Sequence, residues 1–231
     1  MIEIKKRLQS LHNTINQAEI LAQRPQNSVQ LLAVSKTWPA EILRQAADAG
    51  QNCFGENYLQ EALIKIEALV DLDLQWHFIG PIQSNKTKDI AQNFDWVQSV
   101  DRIKIAQRLN TQRPDTLPAL NVCIQVNIDD EKTKSGTSAT ELNLLVDKID
   151  QLDRLVLRGL MVIPTKTDNI EQQNSAFQRA HQLFSKLQEQ YPTIDTLSMG
   201  MTADMNSAIT QGSTMIRVGT GVFGQRHTPA E

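Results

Sequence analysis

Strand-like and helix-like stretches take turns along the whole of this sequence, and a chain of that kind has few ways to fold. Short apolar or β-branched runs read as strands buried on both faces, and stretches with apolar residues three or four apart read as amphipathic helices. The first strand lies within Leu31–Pro39, and others are expected around Cys53-Phe54 and over Leu74–Ile79, Trp96–Val100, Leu120–Ile128, Leu155–Ile163, Thr196–Met199 and Met215–Val218. Helices fall at Pro39–Ala49, capped by Gly50, and at about Tyr58–Leu69, Asn85–Phe94, Arg102–Asn110, Ala139–Ile149, Ile170–Gln190 and Ala203–Gln211. Gly55-Glu56-Asn57 reads as a turn, and an amphipathic helix over Ile2–Ala22 precedes the first strand. Strict alternation implies parallel strands joined by right-handed crossovers. Eight such units without a linker predict an α/β fold, a closed (β/α)8 barrel of the TIM type, with 1–231 as one domain and the extra N-terminal helix covering the place of a missing eighth helix. A doubly wound open sheet is the alternative.

The 231 residues suit one barrel, and with 40% hydrophobic and 21% charged residues the chain fits neither a disordered nor a fibrous class. A net charge of -3, with basic residues scattered, offers no electrostatic footprint for nucleic acid or an acidic membrane. The N-terminus lacks the apolar core of a signal peptide and no run is long enough to span a bilayer, so a cytoplasmic protein is expected. Cys53 and Cys123 sit in apolar runs without zinc or redox spacing and read as buried, reduced thiols. No metal is expected.

In a barrel, chemistry gathers at the C-terminal ends of the strands. Polar residues there are Lys36, Asn57, His77, Ser84, Asn127, Thr165, Ser198, Thr202, Arg217 and Thr220. A lysine buried at a strand end pays for desolvation of its ammonium, and the neutral amine it favours condenses with aldehydes as a Schiff base. The plainer alternative is a buried stem with a solvated head. Ser198–Thr202 (Ser-Met-Gly-Met-Thr) and Gly219–Gly224 (Gly-Thr-Gly-Val-Phe-Gly) follow the last two strands and offer hydroxyls and unobstructed backbone N–H groups, a setting for phosphate. Simple turn geometry is the other reading of those glycines. Gly219–Gly224 also has dinucleotide-fingerprint spacing, but only seven residues follow it, too few for a βαβ unit and its downstream acid. An amine facing a phosphate anchor across the barrel mouth suits an aldehyde that carries a phosphate, and pyridoxal 5′-phosphate is one. Arg217 either pairs with a rim carboxylate or faces a pyridine nitrogen, where a guanidinium that keeps its proton weakens the ring as an electron sink. His77 reads as a hydrogen-bonded core histidine, and Lys86 and Lys88 as a solvated face.

With these residues in hand the chain resembles the pyridoxal phosphate homeostasis protein family over nearly its whole length. The resemblance runs through Ala33–Thr37 (Ala-Val-Ser-Lys-Thr), Phe54–Tyr58 (Phe-Gly-Glu-Asn-Tyr), Trp76–Pro81 (Trp-His-Phe-Ile-Gly-Pro) and Gln83–Lys86 (Gln-Ser-Asn-Lys). It continues through Lys134–Gly136 (Lys-Ser-Gly), Arg158–Met161 (Arg-Gly-Leu-Met), Ser198–Met201 (Ser-Met-Gly-Met), Arg217–Thr220 (Arg-Val-Gly-Thr) and Phe223-Gly224. The family is similar to the barrel half of alanine racemase, is usually monomeric, and binds pyridoxal phosphate without a firmly established catalytic activity. The resemblance implies a Schiff base on Lys36, phosphate contacts from Thr202, Gly219 and Thr220, Arg217 facing the pyridine nitrogen and Asn57 beside the ring. Members often carry Ser at position 202 and Glu at 206, where this chain has Thr202 and Asn206. The hydroxyl is kept and the acid is not.

The expected function is a binding protein that takes up pyridoxal phosphate, masks its aldehyde and releases it to apo-enzymes, without catalysis of its own. An amino-acid racemase is the alternative, but it needs a second base, and the racemases this barrel resembles bring a tyrosine from an additional domain for which a chain ending at Glu231 has no room. A lysine-dependent aldolase fits the phosphate-like turns but not the family motifs.

Overall fold

The computed structural model describes residues 2–131 and 134–225, so Lys132 and Thr133, in the polar loop expected at 129–136, lie outside the described residues. Eight parallel strands close on themselves in chain order: β1 Gln30–Val34, β2 Cys53–Glu56, β3 Gln75–Phe78, β4 Trp96–Val100, β5 Leu120–Val126, β6 Leu155–Val162, β7 Thr196–Ser198 and β8 Met215–Val218. Around them run α1 Ile2–Leu21, α2 Ala40–Asp48, α3 Leu59–Ala68, α4 Thr87–Asn93, α5 Ile103–Gln112, α6 Leu142–Asp150, α7 Ile170–Gln188, α8 Met205–Thr210 and the single turn α9 Thr220–Phe223. The closed barrel is the expected fold, and the pairing of β1 with β8, Leu32 beside Arg217, rules out the open sheet.

Alternation along each strand sorts side chains into two layers. Outward residues such as Ala33, Phe54, Val97 and Ile216 join the main apolar core between strands and helices. Inward residues form small clusters, Leu32 with Cys53 and Met215, and Trp96 with Cys123 and Met161. The rest of the interior is polar: His77, Gln98, Ser198 and Arg217 are all buried. Both cysteines are buried free thiols, and desolvation pushes Cys123 up to about 12.

The leading helix closes the ring as expected. α1 packs on α2, α8 and α9. At its end the buried Glu19 carboxylate accepts from the backbone N–H of Asn27 and Val29, and Arg24 donates to the carbonyls of Ile209 and Ser213. α8 and β8 are thereby tied to the start of the chain.

Three local expectations need correction. Gly55 and Glu56 are the end of β2 rather than a turn, because Glu56 points out of the barrel onto a lysine of α3. The helix expected from Asn85 opens as a 3-10 turn over Ser84–Lys86 before α4. β8 does have a helix after it, the one-turn α9.

Candidate functional site

Lys36 stands two residues beyond the end of β1. The ladder still holds at Ser35, whose N–H donates to the Gly55 carbonyl at 3.0 Å, so alternation places Ser35 toward the helices and Lys36 on the inward side with Leu32 and Val34. Lys36 is half-buried, nearer the alternative of a buried stem with a solvated head than full burial, since the strand ends at Val34.

The two peptide groups that flank Lys36 are both fixed by one charged cluster behind the strand. Lys65 of α3 donates to the Ser35 carbonyl at 2.8 Å, to Glu56 at 2.7 Å and to Glu61 at 2.5 Å. Glu61 in turn accepts from the Thr37 N–H, and Ser35 Oγ donates to Glu56 at 2.6 Å. With Thr37 at φ 68, a conformation uncommon outside glycine, the backbone around Lys36 is held in a shape that it would not adopt unaided. Glu56 is fully buried and one of its oxygens, Oε2, has no partner among the described residues; burial raises its pKa, against the pull of Lys65 and Ser35. Lys65 and Glu56 are the functional-site residues that sequence reasoning missed. The Glu61–Lys65 spacing, i to i+4 on α3, was the one available signal.

Beside Lys36, not across from it, lie the glycine turn and its hydroxyls. Because the barrel closes, β8 is the neighbour of β1, and a Cβ built on Gly219 would come within 3.2 Å of the Val34 carbonyl. The expectation that the glycine turn lies across the mouth from Lys36 is therefore corrected: it lies on the adjacent strand end. Thr220 opens α9, and its Oγ1 lies 3.4 Å from Thr202 Oγ1 in the loop after β7, so both exposed hydroxyls reach one spot. Asn206 is also exposed, on α8.

Arg217 rises from β8 inside the barrel and leans away from β1. Its Nη1 donates to Ser198 Oγ at 2.8 Å and its Nη2 to the Val162 carbonyl of β6 at 2.9 Å. Among the described residues no rim carboxylate bonds it. Desolvation lowers its pKa to about 10, which leaves it protonated at neutral pH. Ser198 thus sits beneath the guanidinium, apart from the Thr202 and Thr220 pair; its hydroxyl donates to Gln98 Oε1 at 2.7 Å. Gln98 Nε2 meets His77 Nδ1 at 2.9 Å, and His77 Nε2 meets Gln75 Oε1 at 3.0 Å, with Trp96 stacked on the imidazole. His77 is the hydrogen-bonded core histidine that was expected, and burial holds its pKa down to about 3.

On the other side of the mouth a cavity of about 350 Å3 is lined by Asn57, Ile79, Gln125, Asn127 and Ile163 among others. Asn57 Oδ1 is buried there without a partner among the described residues. Its backbone is fixed by close packing, since a Cβ on Gly80 would fall 2.1 Å from the Asn57 carbonyl. The remaining candidates are committed to loop structure. Asn127 bonds both backbone groups of Glu131, Thr165 bonds Asp129, and the Ser84 carbonyl accepts from Arg108.

The class that this barrel and mouth define is matched by the family described as alanine racemase, N-terminal domain, over residues 7–227. Within that class the chain belongs to the pyridoxal phosphate homeostasis protein family. It is 52% identical to the pyridoxal phosphate homeostasis protein of Pasteurella multocida over 227 residues, 96% of this chain and 97% of the relative. It is 47% identical to the protein of that name from Escherichia coli K12 over 229 residues, 98% of each. Among solved structures, PipY of Synechococcus elongatus with PLP bound aligns with a TM-score of 0.82 and 38% identity, over 96% of this chain and 100% of that one. Alanine racemase of Clostridium difficile shares the fold at a TM-score of 0.75 and 14% identity, with 58% of its length covered.

Proposed function

We propose that this chain binds pyridoxal 5′-phosphate covalently through Lys36, keeps its reactive aldehyde masked, and releases it to apo-enzymes as a monomeric cytoplasmic protein without catalysis of its own. The observation that carries the reading is the placement of Lys36 beside the Thr202 and Thr220 hydroxyls. On the cofactor's ring the aldehyde and the phosphate-bearing arm occupy neighbouring carbons, and the ring nitrogen lies opposite the aldehyde. The residues fit that shape. Lys36 and the hydroxyl pair stand on adjacent strand ends, while the guanidinium of Arg217 reaches away from them toward β6. The unpartnered Asn57 Oδ1 is a polar group in want of a ligand, and an orphaned buried acceptor is rare enough to ask for one.

When bound, the cofactor supplies an electrophilic carbonyl and an electron-withdrawing ring. The chain's own residues restrain that chemistry. Arg217 holds its proton, so the ring nitrogen opposite it stays unprotonated and carbanion formation is poorly supported. Release needs only that water or an incoming amine displace Lys36. The names of the relatives speak of homeostasis and of no reaction. Against a racemase, Tyr191 is bound to Asp147 on the outer layer, 2.6 Å away, and is no second base at the mouth. Among the described residues no helix is long and apolar enough to cross a membrane.

The absorbance spectrum of the purified chain, before and after borohydride, tests the reading, with mass spectrometry locating the reduced adduct. The adduct is expected on Lys36, and Lys36→Ala is expected to lose the visible band. An adduct on another side chain, or no band after reconstitution, refutes it. Absence of α-proton exchange in deuterated water for every amino acid tried separates the carrier from the racemase.

A further inference from the structure

Inside the barrel, four uncharged side chains form a chain of hydrogen bonds that ends on Arg217. A guanidinium has donors only, so Ser198 Oγ accepts from Arg217. The Ser198 proton is then given to Gln98 Oε1, and the far end of that amide gives an N–H to His77 Nδ1. His77 is left with its proton on Nε2, which it gives to Gln75 Oε1 at the bottom of the barrel. Every link donates in the same sense, from the mouth downward. No member carries a formal charge in this arrangement, and His77 meets only Gln75, Gln98 and the Trp96 ring among the contacts described. A carboxylate under Arg217 would anchor it too, but would also cancel its charge. A neutral relay anchors the guanidinium and leaves its charge for whatever lies above.

We propose that Gln75, His77, Gln98 and Ser198 are positioning residues that hold the Arg217 guanidinium in a fixed place inside the barrel, where it would face the ring nitrogen of a bound cofactor, with His77 locked as its Nε2–H tautomer to set the direction of the relay. The proposal rests on the reading of Arg217 as the group facing the ring nitrogen. The links span β3, β4, β7 and β8, so the guanidinium is fixed to half the strands of the barrel and not to its own side chain's torsions alone.

The first test needs no cofactor. Long-range 1H–15N spectra of the full, unloaded chain are expected to show His77 as the Nε2–H tautomer, without titration between pH about 5 and about 8. An Nδ1–H tautomer, or titration in that range, overturns the relay whatever becomes of the cofactor reading. The second test loads the chain with pyridoxal 5′-phosphate. Ser198→Ala cuts the relay at the guanidinium, and is expected to shift the bound cofactor's absorbance band and speed its loss about tenfold, the size expected for one buried hydrogen bond. Borohydride trapping on Lys36 persists in that variant, and Ser198→Thr, which keeps the hydroxyl, restores both properties. An unshifted band with an unchanged loss rate in Ser198→Ala, or a Thr variant as impaired as the Ala one, overturns the positioning role. Failure of trapping in the unsubstituted chain instead removes the cofactor reading and leaves the tautomer result standing.

Discussion

Lys36, just past the end of β1, and Arg217, on the neighbouring β8, are fixed by opposite means. Behind Lys36, outside the strands, the anchor is ionic: Lys65 between Glu56 and Glu61, with a carboxylate oxygen left unpartnered. Beneath Arg217, inside the strands, the anchor is a neutral relay with its bonds paired end to end. The difference follows from what each anchor must hold. The clamp grips backbone, and peptide groups are held well by full charges. The relay grips a guanidinium whose charge is the useful quantity on the proposed reading, and its hydrogen-bonding partners are all neutral.

The largest expected consequence of that contrast is in stability. Lys65→Met leaves two carboxylates without their shared cation, and removal of one partner from a buried ion cluster costs about 3–5 kcal/mol, to be read from urea denaturation. Gln98→Leu, which strands the His77 and Ser198 groups but no charge, is expected to cost about 1–3 kcal/mol by the same measurement. If the order were reversed, the division into an ionic and a neutral anchor would fail.

Acid separates the two regions further, because their titrating groups pull in opposite directions. His77 has its pKa depressed to about 3, so its contribution is complete above the unfolded value of 6.5 and is lost as pH falls toward 3. Glu56 has its pKa raised, so its contribution is complete below the unfolded value of 4.5 and is lost as pH rises from there. Each adds at most about 1.4 kcal/mol per pH unit to the slope. His77→Phe is therefore expected to flatten the fall of stability below pH 6.5, and Glu56→Gln to flatten the loss above 4.5, both followed by denaturation midpoints across pH. The same slope in both variants would mean that the burial of these groups does not govern their protons.

The smallest effects belong to the rim, where neither anchor reaches. Thr202→Ala is expected to speed cofactor loss about tenfold for one lost hydrogen bond, while Asn206→Ala leaves it unchanged, as measured by decay of the visible band on dilution. Equal retention in the two variants would move the phosphate away from the Thr202 and Thr220 pair.

How much of this was legible in the sequence differs between the same two regions. β4 and β8 have the boundaries that their apolar runs predict, because a strand buried on both faces writes itself as a continuous run. Lys36, Arg217, Thr202 and Thr220 are legible because barrel logic points to strand ends. The clamp was not. Glu56 follows a glycine and precedes an asparagine, a turn-like trio by local preference, and only the lysine delivered by α3 makes it a strand residue. Lys65 looks like any helix lysine until the crossover brings α3 over β1 and β2. The relay was half legible: His77 broke an apolar strand and drew notice, but Gln98 in Trp-Val-Gln-Ser-Val did not, because its partners lie on other strands, His77 on β3 and Ser198 a hundred residues away on β7. The adjacency of lysine and anchor was misread for a similar reason, as closure joins the first strand to the last and no local pattern says so.

That closure has a consequence for how the protein is made. The helix α1, made before the strands, has its seat on α8, α9 and the loop carrying Ser213, which are made after most of them. Its inward face, Ile4, Leu8, Leu11 and Ile15, has only α2 beside it until those elements have been made. The seam of this barrel thus closes only once α8 and α9 have been made, and a nascent chain stalled before β8 presents part of an apolar helix face to any chaperone at the tunnel exit.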